Sequence, residues 1–100
     1  MAVIYLIESK LDDSITYKIG YSTRKARSRK KELSTGNAGK LRVIYEYKTE
    51  YPCELEIALH NHFSYCRLEG EWFSEELDIE KFIPTCNTYG KAISVIKSTA

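Results

Sequence analysis

The chain has no long apolar run. Its longest, Met1 to Ile7, falls well short of the roughly 20 residues a membrane-spanning helix needs. The run has no basic flank and no small-residue cleavage site, so a secretory leader is not expected. Cysteine is scarce and odd in number. Cys53, Cys66 and Cys86 stand far apart with no Cys-x-x-Cys pair, which argues against a disulfide framework and fits a reducing, cytoplasmic compartment. Low-complexity tracts, internal repeats and heptads are also missing. Membrane and secreted readings drop out.

What is there is the composition of one globular domain: 100 residues, 43% hydrophobic and 29% charged. Met1 reads as a true start and the domain as residues 1–100, a small complete protein. The net charge is only +1, but it is sharply segregated. Residues 18–48 carry ten Lys or Arg against Glu32 and Glu46, whereas residues 49–82 carry nine acids against Arg67 and Lys81. Such a division suits a polyanionic partner, a bound cation, or both.

Hydrophobic patterning gives the elements. Ala2–Ile7 and Ile15–Tyr21 are rich in β-branched and aromatic residues and read as a hairpin about the turn residues 10–14. Pairing positions that sum to 23 would set Tyr5 opposite Lys18 and leave a six-residue loop, Ser9 to Ser14. A helix is expected from Arg24 to Thr35, capped by Thr23 and stopped at Gly36. Leu41–Lys48 follows as a third strand with Leu41, Val43, Tyr45 and Tyr47 on one face. A second helix starts at Pro52, where a missing N–H is harmless, and runs to about Tyr65 on a stripe of Leu55, Ala58, Leu59 and Phe63. Glu69–Phe73 reads as a short turn or strand. Ser74 then caps an acidic helix that Pro84 interrupts, and a last helical stretch spans Gly90 to Lys97. The order β-β-α-β-α-α implies an α+β domain: a small three-stranded antiparallel sheet with flanking helices.

Two constellations carry chemistry. The first is Arg24, Lys25, Arg27, Arg29, Lys30 and Lys31, six cations in eight residues. If all six met phosphates, the slope of log affinity against log salt would approach about −5. A solvated helix face is the bland alternative. Arg29 borders the helix's only apolar positions, Ala26 and Leu33. Its guanidinium either forks onto a phosphate or simply lays its stem along the core. The second constellation is Glu56 and His60, one turn apart on the helix that starts at Pro52. Glu56 offers one carboxylate for Mg²⁺, with waters and phosphate oxygens completing the shell, or, with Glu54, merely favours the helix N-terminus. A zinc site from Cys53, His60, His62 and Cys66 lacks the usual close spacing, and His62 and Cys66 fit the apolar stripe as core residues.

The order of these features resembles the GIY-YIG nuclease superfamily. Val3-Ile4-Tyr5 matches the GIY element and Lys18-Ile19-Gly20-Tyr21-Ser22 the YIG element. Arg29-Lys-Lys-Glu-Leu-Ser-Thr-Gly36, Glu56-x-x-Leu-His60-x-x-Phe63 and Gly70-Glu-Trp-Phe73 are similar to the phage- and virus-associated branch, which writes KIG for YIG. The motifs fall within residues 2–83, leaving 84–100 as a C-terminal helical extension. Two departures stand out: Val3 replaces the GIY glycine, and Lys18 replaces the YIG tyrosine while Tyr17 points to the opposite face. The family's asparagine has no clear counterpart, Asn61 coming too early and Asn87 after the acidic segment.

The resemblance implies a metal-dependent endonuclease hydrolysing DNA phosphodiester bonds, with one Mg²⁺ or Mn²⁺ on Glu56. It implies Arg29 as clamp on the phosphate oxygens, Tyr5 as proton acceptor and His60 as auxiliary. A tyrosine near pKa 10 is about three units too weakly acidic for base work at pH 7, roughly 4 kcal/mol. A nearby Lys18 ammonium would favour the phenolate, or Lys18 would itself be the base. Gly20 would let the backbone approach the substrate or simply end a strand. Arg24, Lys25, Arg27, Lys30 and Lys31 would track the nucleic-acid backbone. The alternative is a non-cleaving nucleic-acid-binding module of the same fold. RNA as substrate, cleavage specificity, and the choice between a single copy and a homodimer all stay open.

Overall fold

The computed structural model describes residues 1–23 and 40–99. Its described elements are β1 (Ala2–Leu11), β2 (Ser14–Ser22), β3 (Lys40–Thr49), α1 (Pro52–His62), a 3₁₀ turn (Ser64–Cys66), β4 (Trp72–Ser74), a second 3₁₀ turn (Ile79–Lys81) and α2 (Phe82–Thr99). The expected helix at 24–35, and with it Arg24, Lys25, Arg27, Arg29, Lys30 and Lys31, lies outside the described residues. Among the described residues no helix is long and apolar enough to cross a membrane.

The α+β class holds, with a four-stranded rather than three-stranded sheet in the order β3-β1-β2-β4. The extra strand is the short Trp72–Ser74, which pairs with β2 through Thr16, Tyr17 and Lys18. β1 is central, so its side chains are buried on both faces. Ile4 and Leu6 point to the helices and meet Ile19, Leu55, Leu59, Phe63, Phe73 and Phe82 in the main core. Tyr5 and Ile7 form a second cluster with Leu41 on the other face.

The hairpin register differs from the expected one. Tyr5 pairs with Gly20 and Ile7 with Lys18, and the strands run on to Leu11 and Ser14 around a two-residue turn. Asp12 makes that turn possible by adopting φ 54, a left-handed conformation that a short polar side chain tolerates. A two-residue shift leaves every side chain on its expected face, because the strand period is two. Tyr5 and Lys18 are therefore diagonal rather than direct neighbours.

β3 also departs from simple alternation. A bulge between the Leu6 and Ile7 pairings inserts Ile44. Leu41 and Val43 consequently join Tyr5 and Ile7, whereas Tyr45 and Tyr47 turn to the helix side. Tyr45 stacks on Phe82 of α2 at 6.2 Å between ring centroids.

The helical half is reorganised relative to expectation. α1 stops at His62, and Cys66 sits in the following 3₁₀ turn, so His62 and Cys66 are not one turn apart on a common helix. Cys66 is buried, as expected of a core residue. His62 is exposed instead, its Nδ1 3.2 Å from the Tyr89 hydroxyl. The acidic segment is a turn closed by Ser74 and a 3₁₀ turn capped by Asp78, not an α-helix. Pro84 interrupts nothing: it lies in the first turn of α2, where its lost N–H has no intrahelical acceptor.

Candidate functional site

The site forms where β2 passes α1 and the turn leading into β4. Gly20 is its pivot. A Cβ at this position would lie 2.5 Å from the Tyr5 hydroxyl and 2.8 Å from Glu71 Oε1, so both polar ends occupy the space of the missing side chain. Tyr5 reaches it from the paired position on β1 and is fully buried. Glu71 reaches it from the turn, whose backbone is tied to β2 by a hydrogen bond from Ile19 N–H to the Glu71 carbonyl at 3.1 Å.

Lys18 lies two residues before Gly20 on the same face. Its Nζ is 3.4 Å from Glu71 Oε2 and 5.5 Å from the centre of the Trp72 ring. Only 7% of the residue is exposed, so this ammonium is held in a low-dielectric setting between a carboxylate and an aromatic face.

Glu56 enters from α1. Partial burial pushes its carboxyl up to about 7, the negative charge of Glu71 adds to the rise, and Lys18 partly opposes it. Two carboxylates thus compete for one ammonium, and Glu71 holds it. Glu56 is left with an excess of negative surroundings, which a cation would relieve. Glu54, two residues earlier, has no such role: Lys97 pairs with it at 2.7 Å and holds its carboxyl below the usual range.

His60 is buried one turn after Glu56, with Nε2 2.9 Å from the Ile19 carbonyl and its ring edge-on to Phe73. A carbonyl can only accept, so Nε2 carries the proton and donates it. This bond fixes α1 to β2 beside Gly20. His60 is thereby placed to position Glu56, whatever else it does.

The described residues bring Tyr5, Lys18, Gly20, Glu56 and His60 together. Glu71 is the member that sequence reasoning passed over, along with Trp72 and the Tyr21–Cys53 pair at the rim. Cys53 Sγ and the Tyr21 hydroxyl are hydrogen-bonded at 3.1 Å, and that bond comes first among the causes raising the Tyr21 pKa, ahead of Glu56 and Glu71. The signal for Glu71 was present: an acid immediately before a strand that pairs with Lys18. Reading it required knowing that Trp72–Ser74 joins β2. The core thiols are inert by comparison, burial pushing Cys86 up to about 12.

A divalent ion at this cluster would meet the carboxylates of Glu56 and Glu71. No group of three or more metal-ligating side chains forms among the described residues. One or two carboxylates with water and phosphate oxygens is nevertheless how Mg²⁺ is commonly held.

Fold and cluster together define a small α+β domain with an ionisable site at a strand–helix junction. Residues 2–89 match the T5orf172 domain, and the chain belongs to that family, which is linked to nuclease-like proteins. No curated protein and no solved structure matches the chain.

Proposed function

We propose that the chain is a divalent-metal-dependent endonuclease of GIY-YIG type that hydrolyses DNA phosphodiester bonds. The observation that carries this reading is the electrostatic imbalance at Glu56: a half-buried carboxylate beside Glu71, with Lys18 already committed. Family membership over residues 2–89 supports a nucleic-acid substrate.

Glu56 would hold one Mg²⁺ or Mn²⁺, with Glu71 close enough to share its charge. When bound, such an ion would supply Lewis-acid stabilisation of negative charge on the phosphate. Lys18 would draw the substrate phosphate toward the cluster. Tyr5, held over Gly20, accepts the proton of the attacking water directly or by relay, and Lys18 is the other candidate base. His60 keeps α1 in register with β2 through the Ile19 carbonyl. Arg29 would clamp a non-bridging oxygen, and Arg24, Lys25, Arg27, Lys30 and Lys31 would follow the strand.

A specific observation favours the alternative, a non-cleaving module of the same fold: Tyr5 is wholly buried, whereas a base must reach water. Supercoiled plasmid incubated with and without Mg²⁺ or Mn²⁺, beside Glu56→Ala, separates the two. Metal-dependent nicking lost in Glu56→Ala is the expected result. Salt-sensitive binding of intact plasmid under every condition would select the binding module.

A further inference from the structure

Beside the ionisable cluster lies an open pocket of about 330 Å³, lined by Ser9, Thr16, Leu68, Glu69 and Trp72. Ser9 and Thr16 are cross-strand partners on β1 and β2, and Trp72 pairs with Lys18 two residues further along β2. The indole is therefore shared. It lines the pocket while Lys18 Nζ sits 5.5 Å from its ring centre. The pocket and the phosphate-directed cluster are neighbours, divided by one aromatic ring.

The lining selects its ligand. Trp72 and the exposed Leu68 supply an apolar wall, and two hydroxyls and the Glu69 carboxylate supply polar groups. Among the described residues no cation lines it, and Glu69 would repel a phosphate there. A nucleobase meets the same groups favourably: its π-face stacks on the indole and its ring or exocyclic N–H groups donate to Glu69. The volume is at the lower end of the roughly 300–1,000 Å³ usual for small-ligand sites.

The rim is held in place. Leu68 N–H donates to the Trp72 carbonyl at 2.9 Å, Trp72 N–H to the Glu69 carbonyl at 2.9 Å, and Arg67 Nε to the Gly70 carbonyl at 2.8 Å. Gly70 closes the turn with φ 56, a left-handed conformation suited to glycine. One tight turn thus presents Glu69 to the pocket and Glu71 to Lys18.

We propose that this pocket takes a single unpaired nucleobase next to the phosphate bound at the cluster. The substrate class is accordingly single-stranded, bulged or branched nucleic acid rather than continuous duplex, in which a stacked base cannot reach Trp72. The proposal rests on the nucleic-acid reading of the cluster and deepens it.

Trp72 is the only tryptophan, so its fluorescence reports on the pocket and the adjoining Lys18, and the abasic and duplex ligands separate the two. Titrations in EDTA would compare a single-stranded oligonucleotide, an abasic strand of equal length and charge, and a blunt duplex. Quenching by the first and not by the other two is expected. Trp72→Ala, followed by anisotropy of a labelled strand, should weaken single-strand binding by about tenfold or more and duplex binding, which meets the ring only through Lys18, by clearly less. Glu69→Ala, on the exposed turn, should reduce the single-strand preference with the Trp72 spectrum intact, which guards against misfolding of the tryptophan variant. Equal quenching by the abasic strand, or single-strand binding with no quenching, would overturn the proposal. If plasmid nicking persists alongside either result, the pocket assignment fails and the nuclease reading stands. If none of the three ligands binds, both fall.

Discussion

Gly20 matters for what fills the space it leaves. A methyl group there would press on the Tyr5 hydroxyl and on Glu71 Oε1. The carboxylate sits on a half-exposed side chain and can yield, but the buried Tyr5 ring cannot. Gly20→Ala should therefore cost roughly 1–3 kcal/mol in urea unfolding, the usual range for overpacking a filled site. Tyr5→Phe removes the nearest clashing atom, so the double variant should lose less than the two single variants together. Strict additivity would show that Tyr5 does not occupy the Gly20 gap.

Glu56 carries a second residue-scale prediction, on pH. Its folded value of about 7 is above the ordinary 4.5, so the fold favours the protonated carboxyl. The destabilisation is absent below about pH 4.5, grows as pH rises, and is complete above about pH 7. Glu56→Gln should then match the wild type in thermal stability at pH 4 and exceed it at pH 8. Adding Mg²⁺ at pH 8 should stabilise the wild type and leave Glu56→Gln unmoved. A stability difference that does not change with pH would mean that Glu56 is neither desolvated nor crowded by Glu71.

Among the elements, those with clear periodicity were readable from sequence. β1, β2, β3 and α1 follow from β-branched runs and from the Leu55, Leu59, Phe63 stripe. What escaped depended on partners distant in sequence. Three residues of β4 become a strand only because β2 offers an edge, and the bulge at Ile44 arises only once β3 is laid against β1. Pro84 looked like a breaker because its position relative to the helix start was unknown. Glu56 and His60 were legible as a helical pair and Tyr5 and Lys18 as a strand pair. Their meeting at Gly20 needed the two-residue turn at Asp12 and the arrival of Glu71.

Gly90 tests the account of α2. It lies inside the helix, where glycine costs about 1 kcal/mol relative to alanine, yet an added Cβ would come within 3.1 Å of the Tyr47 hydroxyl. Gly90→Ala should gain little in the wild type. In a Tyr47→Phe background it should stabilise by roughly 0.5–1 kcal/mol, as read by chemical denaturation. The same gain in both backgrounds would remove Tyr47 as the reason for glycine at this position.

At the scale of the molecule, charge segregation along the chain becomes a division of labour. The acidic half supplies Glu56 and Glu71 to a cluster centred on Lys18, and on the proposed function the basic residues of 24–31 would meet the polyanion. Binding to DNA in EDTA should weaken with salt at a log–log slope no steeper than about −5, and replacing Arg24, Arg27 and Lys31 by alanine should flatten it by up to about 3.

On the proposed function, Glu56 serves cleavage and not affinity. The most direct measurement is single-turnover cleavage of a labelled branched DNA by excess protein in Mg²⁺, paired with its binding in EDTA, for wild type and Glu56→Gln. The account predicts unchanged or slightly tighter binding by the variant, with a cleavage rate lower on the order of a hundredfold or more. Equal cleavage by the two proteins, or a loss of binding that alone accounts for the loss of rate, would contradict it.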